Sequence, residues 1–263
     1  MKKIIFCFLL MLLSACGGGG GGGDSSPPPT DEGDTITSLA GASYMDPDII
    51  TPSDPTAYLG IVSLGQDSRW MFDRRIEDFE NVVVHLFQAT YYEGYIIEFR
   101  VNLEFDYETA LARSEKYARM FGQLPSSLRT NLDKVWIHDG YYALGGGSDG
   151  GIVIPVEMAD RYETDGMLEE GLLHETGHVA FDAVHDSSPE YLAARDADGA
   201  FISDYAMDYP DREDMAESLV GWVAVGYRSD RISIALENYI LDTIPNRLDY
   251  FDALGLNMYP IVP

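Results

Sequence analysis

The sequence predicts an α+β fold, with a mixed or antiparallel sheet and its helices in the N-terminal part and a helical C-terminal part. Three observations lead there. Residues 81–105 alternate side-chain character on both sides of the turn pair Glu93-Gly94, as two neighbouring strands do. From Gly166 onward apolar residues recur at helical spacing. Strands come first and helices second without strict alternation, which argues against a doubly wound parallel sheet.

The chain begins with Lys2 and Lys3 and an apolar run, Ile4 to Leu13, too short to span a bilayer as a mature helix. The run ends in Leu13-Ser14-Ala15-Cys16, which resembles a bacterial lipobox. Residues 1–15 are therefore expected to be a lipoprotein signal peptide, with lipidation at Cys16. An ordinary signal peptide with an incidental Cys16 is the alternative. Residues 16–43 read as a lipidated cysteine and tether: Gly17 to Gly23 is unbroken glycine, and Pro27-Pro28-Pro29 stiffens the chain beyond it. Cys7 leaves with the signal and Cys16 is blocked, so the domain at 44–263 is expected to be held by packing alone. Within it, 44–165 reads as a sheet-containing lobe and 166–263 as a helical lobe. The expected location is the bacterial cell envelope, lipid-anchored, periplasmic or surface-exposed. No acidic residue directly follows Cys16, which favours the outer membrane.

The formal net charge is −27, and it falls by two more when Lys2 and Lys3 are removed. Such a surface repels nucleic acid and anionic lipid heads, so no nucleic-acid partner is expected and the membrane is met through the lipid anchor alone. Basic peptides suit the charge, and a saline habitat explains it equally well. The expected assembly is a monomer.

Tyr58 to Leu64 is a short apolar stretch. Asn81 to Tyr92 and Tyr95 to Phe105 read as a hairpin. Tyr107 to Phe121 is helical by period, stopped by Gly122 and Pro125, and Ser126 to Leu132 is a second short helix. Val135 to His138 and Ile152 to Val156 read as strands around a glycine-rich loop, 145–151. That loop lacks the Lys-Ser/Thr ending of a phosphate-binding loop, so nucleotide binding is rejected. Helices are expected at 167–184, from Ser188-Pro189 through Arg195, from about Arg212 to Tyr227 with Asp211 as cap, and at 232–244. The last is stopped at Pro245, and the tail reads as irregular.

The helix at 167–184 carries the string HETGH. His174 and His178 stand about 40° apart around a helix and about 6 Å apart along it, so both imidazoles can reach one metal ion. Glu175 can then reach a water on that metal. Neutral imidazole suits Zn²⁺, and the pattern points to metal-assisted hydrolysis, most often of peptide bonds. Gly177 costs about 1 kcal/mol inside a helix relative to alanine, which suggests that a neighbouring backbone comes close there.

Downstream candidates for a third ligand are Asp182, His185 and Glu217. Asp182 continues the stripe one turn on, too far to close a tetrahedron, and fits better as an orienting partner. His185 misses the spacing of the extended motif, and His85 reads as a packing residue of its strand. Glu217 lies on a separate helix beside Gly221 and Ala224, where a carboxylate on an apolar face is costly unless paired or metal-bound.

HETGH, then Phe201-Ile202-Ser203-Asp204-Tyr205-Ala206, then Glu213-Asp214-Met215-Ala216-Glu217-Ser218, resembles the gluzincin metallopeptidases, and most of all the branch of anthrax lethal factor-like proteins. The stretch from about 106 to 263 also resembles a poorly characterised set of secreted proteins with HExxH helices. The gluzincin resemblance implies a zincin-like fold and zinc on His174, His178 and Glu217. It implies Glu175 as base and Tyr205 near the metal, stabilising an oxyanion. Asp214 or Asp182 would orient a ligand histidine. In zincins the strand bordering the site holds the substrate backbone, and residues 152–156 are the candidate. The N-terminal hairpin region matches no such pattern. The expected activity is zinc-dependent cleavage of a polypeptide substrate, by an endopeptidase rather than an exopeptidase. The alternatives are a tethered binding protein that keeps the fold without turnover, and a structural zinc site in an envelope scaffold.

Overall fold

One long hairpin dominates the N-terminal half. Strand β1 (Tyr58–Asp73) pairs antiparallel with β2 (Asp78–Tyr91), and the turn at 74–77 places Glu77 at φ 53°. Sequence pattern ends the first strand near Leu64. Pairing with β2 extends it through the polar run Gln66 to Arg69, because backbone bonds to an apolar partner outweigh weak local preference. β3 (Ile96–Asn102) returns antiparallel to β2 past Gly94, whose φ of 87° suits the tight turn.

The computed structural model describes residues 36–42 and 49–262, all within one compact unit spanning Glu32–Pro263. The expectations for residues 1–15, for Cys16 and for most of the tether lie outside the described residues. Among the described residues, no helix is long and apolar enough to cross a membrane.

After β3, helix α1 (Tyr107–Gln123) starts at Asp106, whose carboxylate accepts from the Thr109 N–H, and α2 (Ser126–Arg129) comes next. The crossover leads to β4 (Lys134–His138), parallel to β3. The glycine-rich segment then folds into β5 (Gly145–Gly147), which pairs antiparallel with β6 (Gly151–Pro155). The mixed sheet runs β1-β2-β3-β4-β6-β5. This corrects the expected bordering strand. Residues 151–155 are flanked on both sides, and the edge is β5, because the glycines turn back along the outer side of β6.

The remaining helices are α3 (Val156–Thr164), α4 (Leu168–Phe181), α5 (Pro189–Asp198), α6 (Asp204–Asp208), α7 (Asp214–Tyr227), α8 (Ile234–Thr243) and α9 (Pro245–Ala253). α7 begins after Glu213 rather than at Asp211, which lies exposed beside Arg195. Pro245 ends α8 but also opens α9, where its missing N–H costs nothing, so the tail is less irregular than its pattern suggests. The resulting fold is α+β, as expected. Sheet residues Phe87, Phe99, Ile137 and Ile154 and helical residues Leu172, Leu219, Trp222 and Phe251 share one buried cluster. The expected sheet and helical lobes thus share a core.

Fully buried Arg247 ties α9 to α5 and α7. Its Nε donates to Asp198 Oδ2 at 2.9 Å, and its Nη1 contacts Asp214 Oδ1. Tyr191 donates to the other Asp214 oxygen at 2.6 Å. Asp214 was expected beside a ligand histidine. It is instead a structural anchor, because it lies about 100° around α7 from Glu213 and so faces α5 and α9.

Candidate metal centre

α4 is buried along nearly its whole length, and α7 packs against it. The glycine in HETGH makes this close. A Cβ on Gly177 would stand 2.9 Å from Leu219 Cδ2 and 3.6 Å from Ala216 Cα. The expectation that a neighbouring element approaches there is met by α7.

His174 and His178 project from adjacent turns of α4 with their Nε2 atoms 3.1 Å apart. Glu213 Oε2, at the start of α7, stands 3.2 Å from each. Three ligand atoms of a buried His-His-Glu group therefore form a nearly equilateral triangle, and this group could hold a metal ion. Atoms bonded to one tetrahedral ion at about 2.0–2.1 Å would stand about 3.3 Å apart, close to what is found. The chemistry of the triangle fits a cation too. Two ring nitrogens facing each other can share only one proton, whereas a cation satisfies both lone pairs and the carboxylate together.

The expected third corner was Glu217, and here the structure differs. Glu217 Oε1 stands 3.0 Å from His174 Nδ1, on the far side of the ring from the triangle. Glu213 and Glu217 share one face of α7, a turn apart. Of the two rings Glu217 meets that of His174, while Glu213 reaches both. Sequence reasoning preferred Glu217 for its small neighbours. Only the register of the two helices selects Glu213.

Asp182 stands where an orienting partner is expected, with both oxygens 3.2 Å from His178 Nδ1. Each histidine thus presents Nε2 to the triangle and Nδ1 to a carboxylate. Glu213 has its own anchor: Oε1 accepts from Arg212 Nη2 at 2.9 Å. His185 is turned away and bonds Tyr250 Oη at 2.7 Å, and His85 bonds the Phe105 carbonyl at 3.0 Å.

Glu175 lies between α4 and the edge strand. Its carboxylate accepts the Gly146 N–H, and a Cβ at Gly146 would run into the Glu175 carbonyl. β5 must therefore be glycine here, since a helix backbone lies against it. On the hairpin turn, Arg74 Nη2 donates to the Leu144 carbonyl at 2.8 Å; burial pulls its pKa down, and the charge of Glu175 offsets part of that. Tyr205, on α6, stands near Glu213, and that carboxylate acts on its phenol.

The electrostatics favour positive charge at the triangle. Burial disfavours protonated His174, but hydrogen bonds to Glu213 and Glu217 outweigh it and hold its pKa well above the usual value. Burial also opposes protonation of His178, yet Asp182 and Glu213 raise its pKa to about 9. Glu213 is buried, which alone would raise its pKa, but the two imidazoles hold it well below the carboxylate range. Burial first, then the charges of Glu213 and Glu175, push the Tyr205 phenol up, so it remains a proton donor.

Compared with family models, with curated proteins and with solved structures, the chain finds no match.

Sequence reasoning missed Glu213, Arg212, Arg74 and Ser203 as parts of this region. Glu213 had a signal, being four residues from Glu217 on the same stripe. Arg74 had none, because its approach to β5 depends on a hairpin turn that folds back over the sheet edge.

Proposed function

We propose that this protein is a zinc-dependent peptidase with a zincin-like fold, of gluzincin type, carried on the bacterial cell envelope through a lipid on Cys16. The observation that carries this reading is the triangle of His174, His178 and Glu213, with Glu175 one residue along the same helix and held against an edge strand. His174, His178 and Glu213 would hold the ion, which supplies Lewis-acid polarisation of the scissile carbonyl and acidifies water at the remaining position.

Around that centre the side chains divide the work. Glu175 takes the proton of the attacking water and passes it to the leaving amine. Tyr205, protonated and already at the edge of the triangle, donates to the developing oxyanion. Glu217 and Asp182 hold the two imidazoles by Nδ1, leaving Nε2 as the ligand atom. An extended polypeptide lies along β5, the edge strand that borders Glu175.

Glu175→Gln tests the reading. The variant is expected to bind zinc as the native protein does and to cleave no peptide from a mixed library. Full activity in the variant would remove Glu175 from the mechanism. A second reading has one observation in its favour: the Gly146 N–H engages the Glu175 carboxylate, as a binding protein without turnover would tolerate. Native protein that binds zinc and peptide but leaves the peptide intact would select it.

A further inference from the structure

Ser203 is buried and lies at the N-cap of α6, where its hydroxyl accepts from the Ala206 N–H at 3.1 Å. The same hydroxyl donates to Glu217 Oε2 at 2.7 Å. A serine hydroxyl has one proton to give and lone pairs to receive, so both bonds form at once without competition. Glu217 is fully buried, and its other oxygen faces His174 Nδ1. An unbroken chain therefore runs from α6, which carries Tyr205, through Ser203 and Glu217 to a corner of the metal triangle.

We infer that Ser203 is a positioning residue that locks His174 to Tyr205, fixing the metal-ligand imidazole and the phenol in one register. The inference rests on the metal reading above. Glu217 can orient His174 only if its carboxylate is itself fixed, and the Ser203 proton fixes it. A buried carboxylate oxygen stripped of that proton would turn toward another donor and carry the His174 ring with it. The N-cap bond then holds the first turn of α6, and with it the distance from Tyr205 to Glu213.

Zinc affinity of the full-length protein, measured by competition with a fluorescent chelator, tests this in a double-mutant cycle. Glu217→Ala and Ser203→Ala are each expected to weaken zinc binding by roughly 10- to 100-fold, the range for orienting partners of metal ligands. The double variant is expected to be no weaker than Glu217→Ala, because both changes cut one chain. Ser203→Thr keeps the hydroxyl and is expected to bind as the native protein does. Losses that multiply in the double variant would make Ser203 a helix cap only and overturn the inference. Native affinity in Ser203→Ala, or a Ser203→Thr variant as weak as Ser203→Ala, would overturn it as well. Peptide hydrolysis at saturating zinc is read separately. Native protein that binds zinc without cleaving anything defeats the peptidase reading and leaves the coupling of Ser203 to zinc intact.

Discussion

The Nε2 atoms of His174 and His178 face each other across 3.1 Å, and Glu213 Oε2 closes the gap on one side. Without a cation, this arrangement needs protons. His178 has its pKa raised from 6.5 to about 9, and His174 is also raised. A raised folded pKa contributes stability that is fully present below the unfolded value and is lost as pH rises through the folded one. Chelator-treated protein is therefore expected to lose stability between pH 6.5 and about pH 9, as followed by urea denaturation. Zinc must displace those protons, so its affinity is expected to rise across the same interval. At a free-zinc concentration about a thousand times the dissociation constant, unfolding would cost about 4 kcal/mol more. A chelated protein that grows more stable over that interval would contradict the assignment.

Glu213 and Glu217 differ in their place around His174, and their removal is expected to differ accordingly. Glu213→Ala deletes a corner of the triangle and leaves an open cluster of two imidazoles. Zinc content after gel filtration, by atomic emission, is expected to fall to background in this variant. Equal zinc retention in Glu213→Ala and native protein would return the ligand role to another carboxylate.

Tyr205 is expected to act on turnover rather than on the ion. Tyr205→Phe removes one donor to the oxyanion and is expected to lower kcat by about 10²–10³-fold, with zinc affinity and KM nearly unchanged. Steady-state kinetics on a fluorogenic peptide separates these. A variant with native kcat would mean that the phenol only braces Glu213.

Gly146 on β5 and Gly177 within α4 are expected to respond differently to an added Cβ. At Gly146 an added Cβ meets the Glu175 backbone, which cannot yield, so Gly146→Ala is expected to cost about 1–3 kcal/mol. At Gly177 it meets the end of the flexible Leu219 side chain, and about 1 kcal/mol of helix propensity is regained. Gly177→Ala is expected to be close to neutral. Thermal denaturation of both variants checks the contrast, and a tolerant Gly146 would mean that β5 stands farther from α4.

Arg247 neutralises two buried carboxylates, Asp198 and Asp214, neither of which belongs to the triangle. Arg247→Ala strands both and is expected to destabilise by about 3–5 kcal/mol, measured in urea. Zinc affinity of the folded fraction is expected to hold. A selective loss of zinc affinity at native stability would restore the orienting role first expected for Asp214.

Local sequence was enough for the α+β class, the β2–β3 hairpin, the helix carrying His174, Glu175 and His178, and the place of Asp182 one turn further on. Each stems from a period within one element, and helical pitch fixes neighbours a turn apart whatever surrounds them. The same pitch made Glu213 and Glu217 equivalent on one stripe, and only the packing of α7 against α4 put one oxygen at the triangle and the other behind the His174 ring. Tertiary contact likewise turned Asp214 toward Arg247, drew β1 past its apolar stretch, and made an edge strand of three glycines. A residue's own neighbours set which face it occupies. What that face meets is set by elements distant in the chain, whose approach depends on the whole buried core.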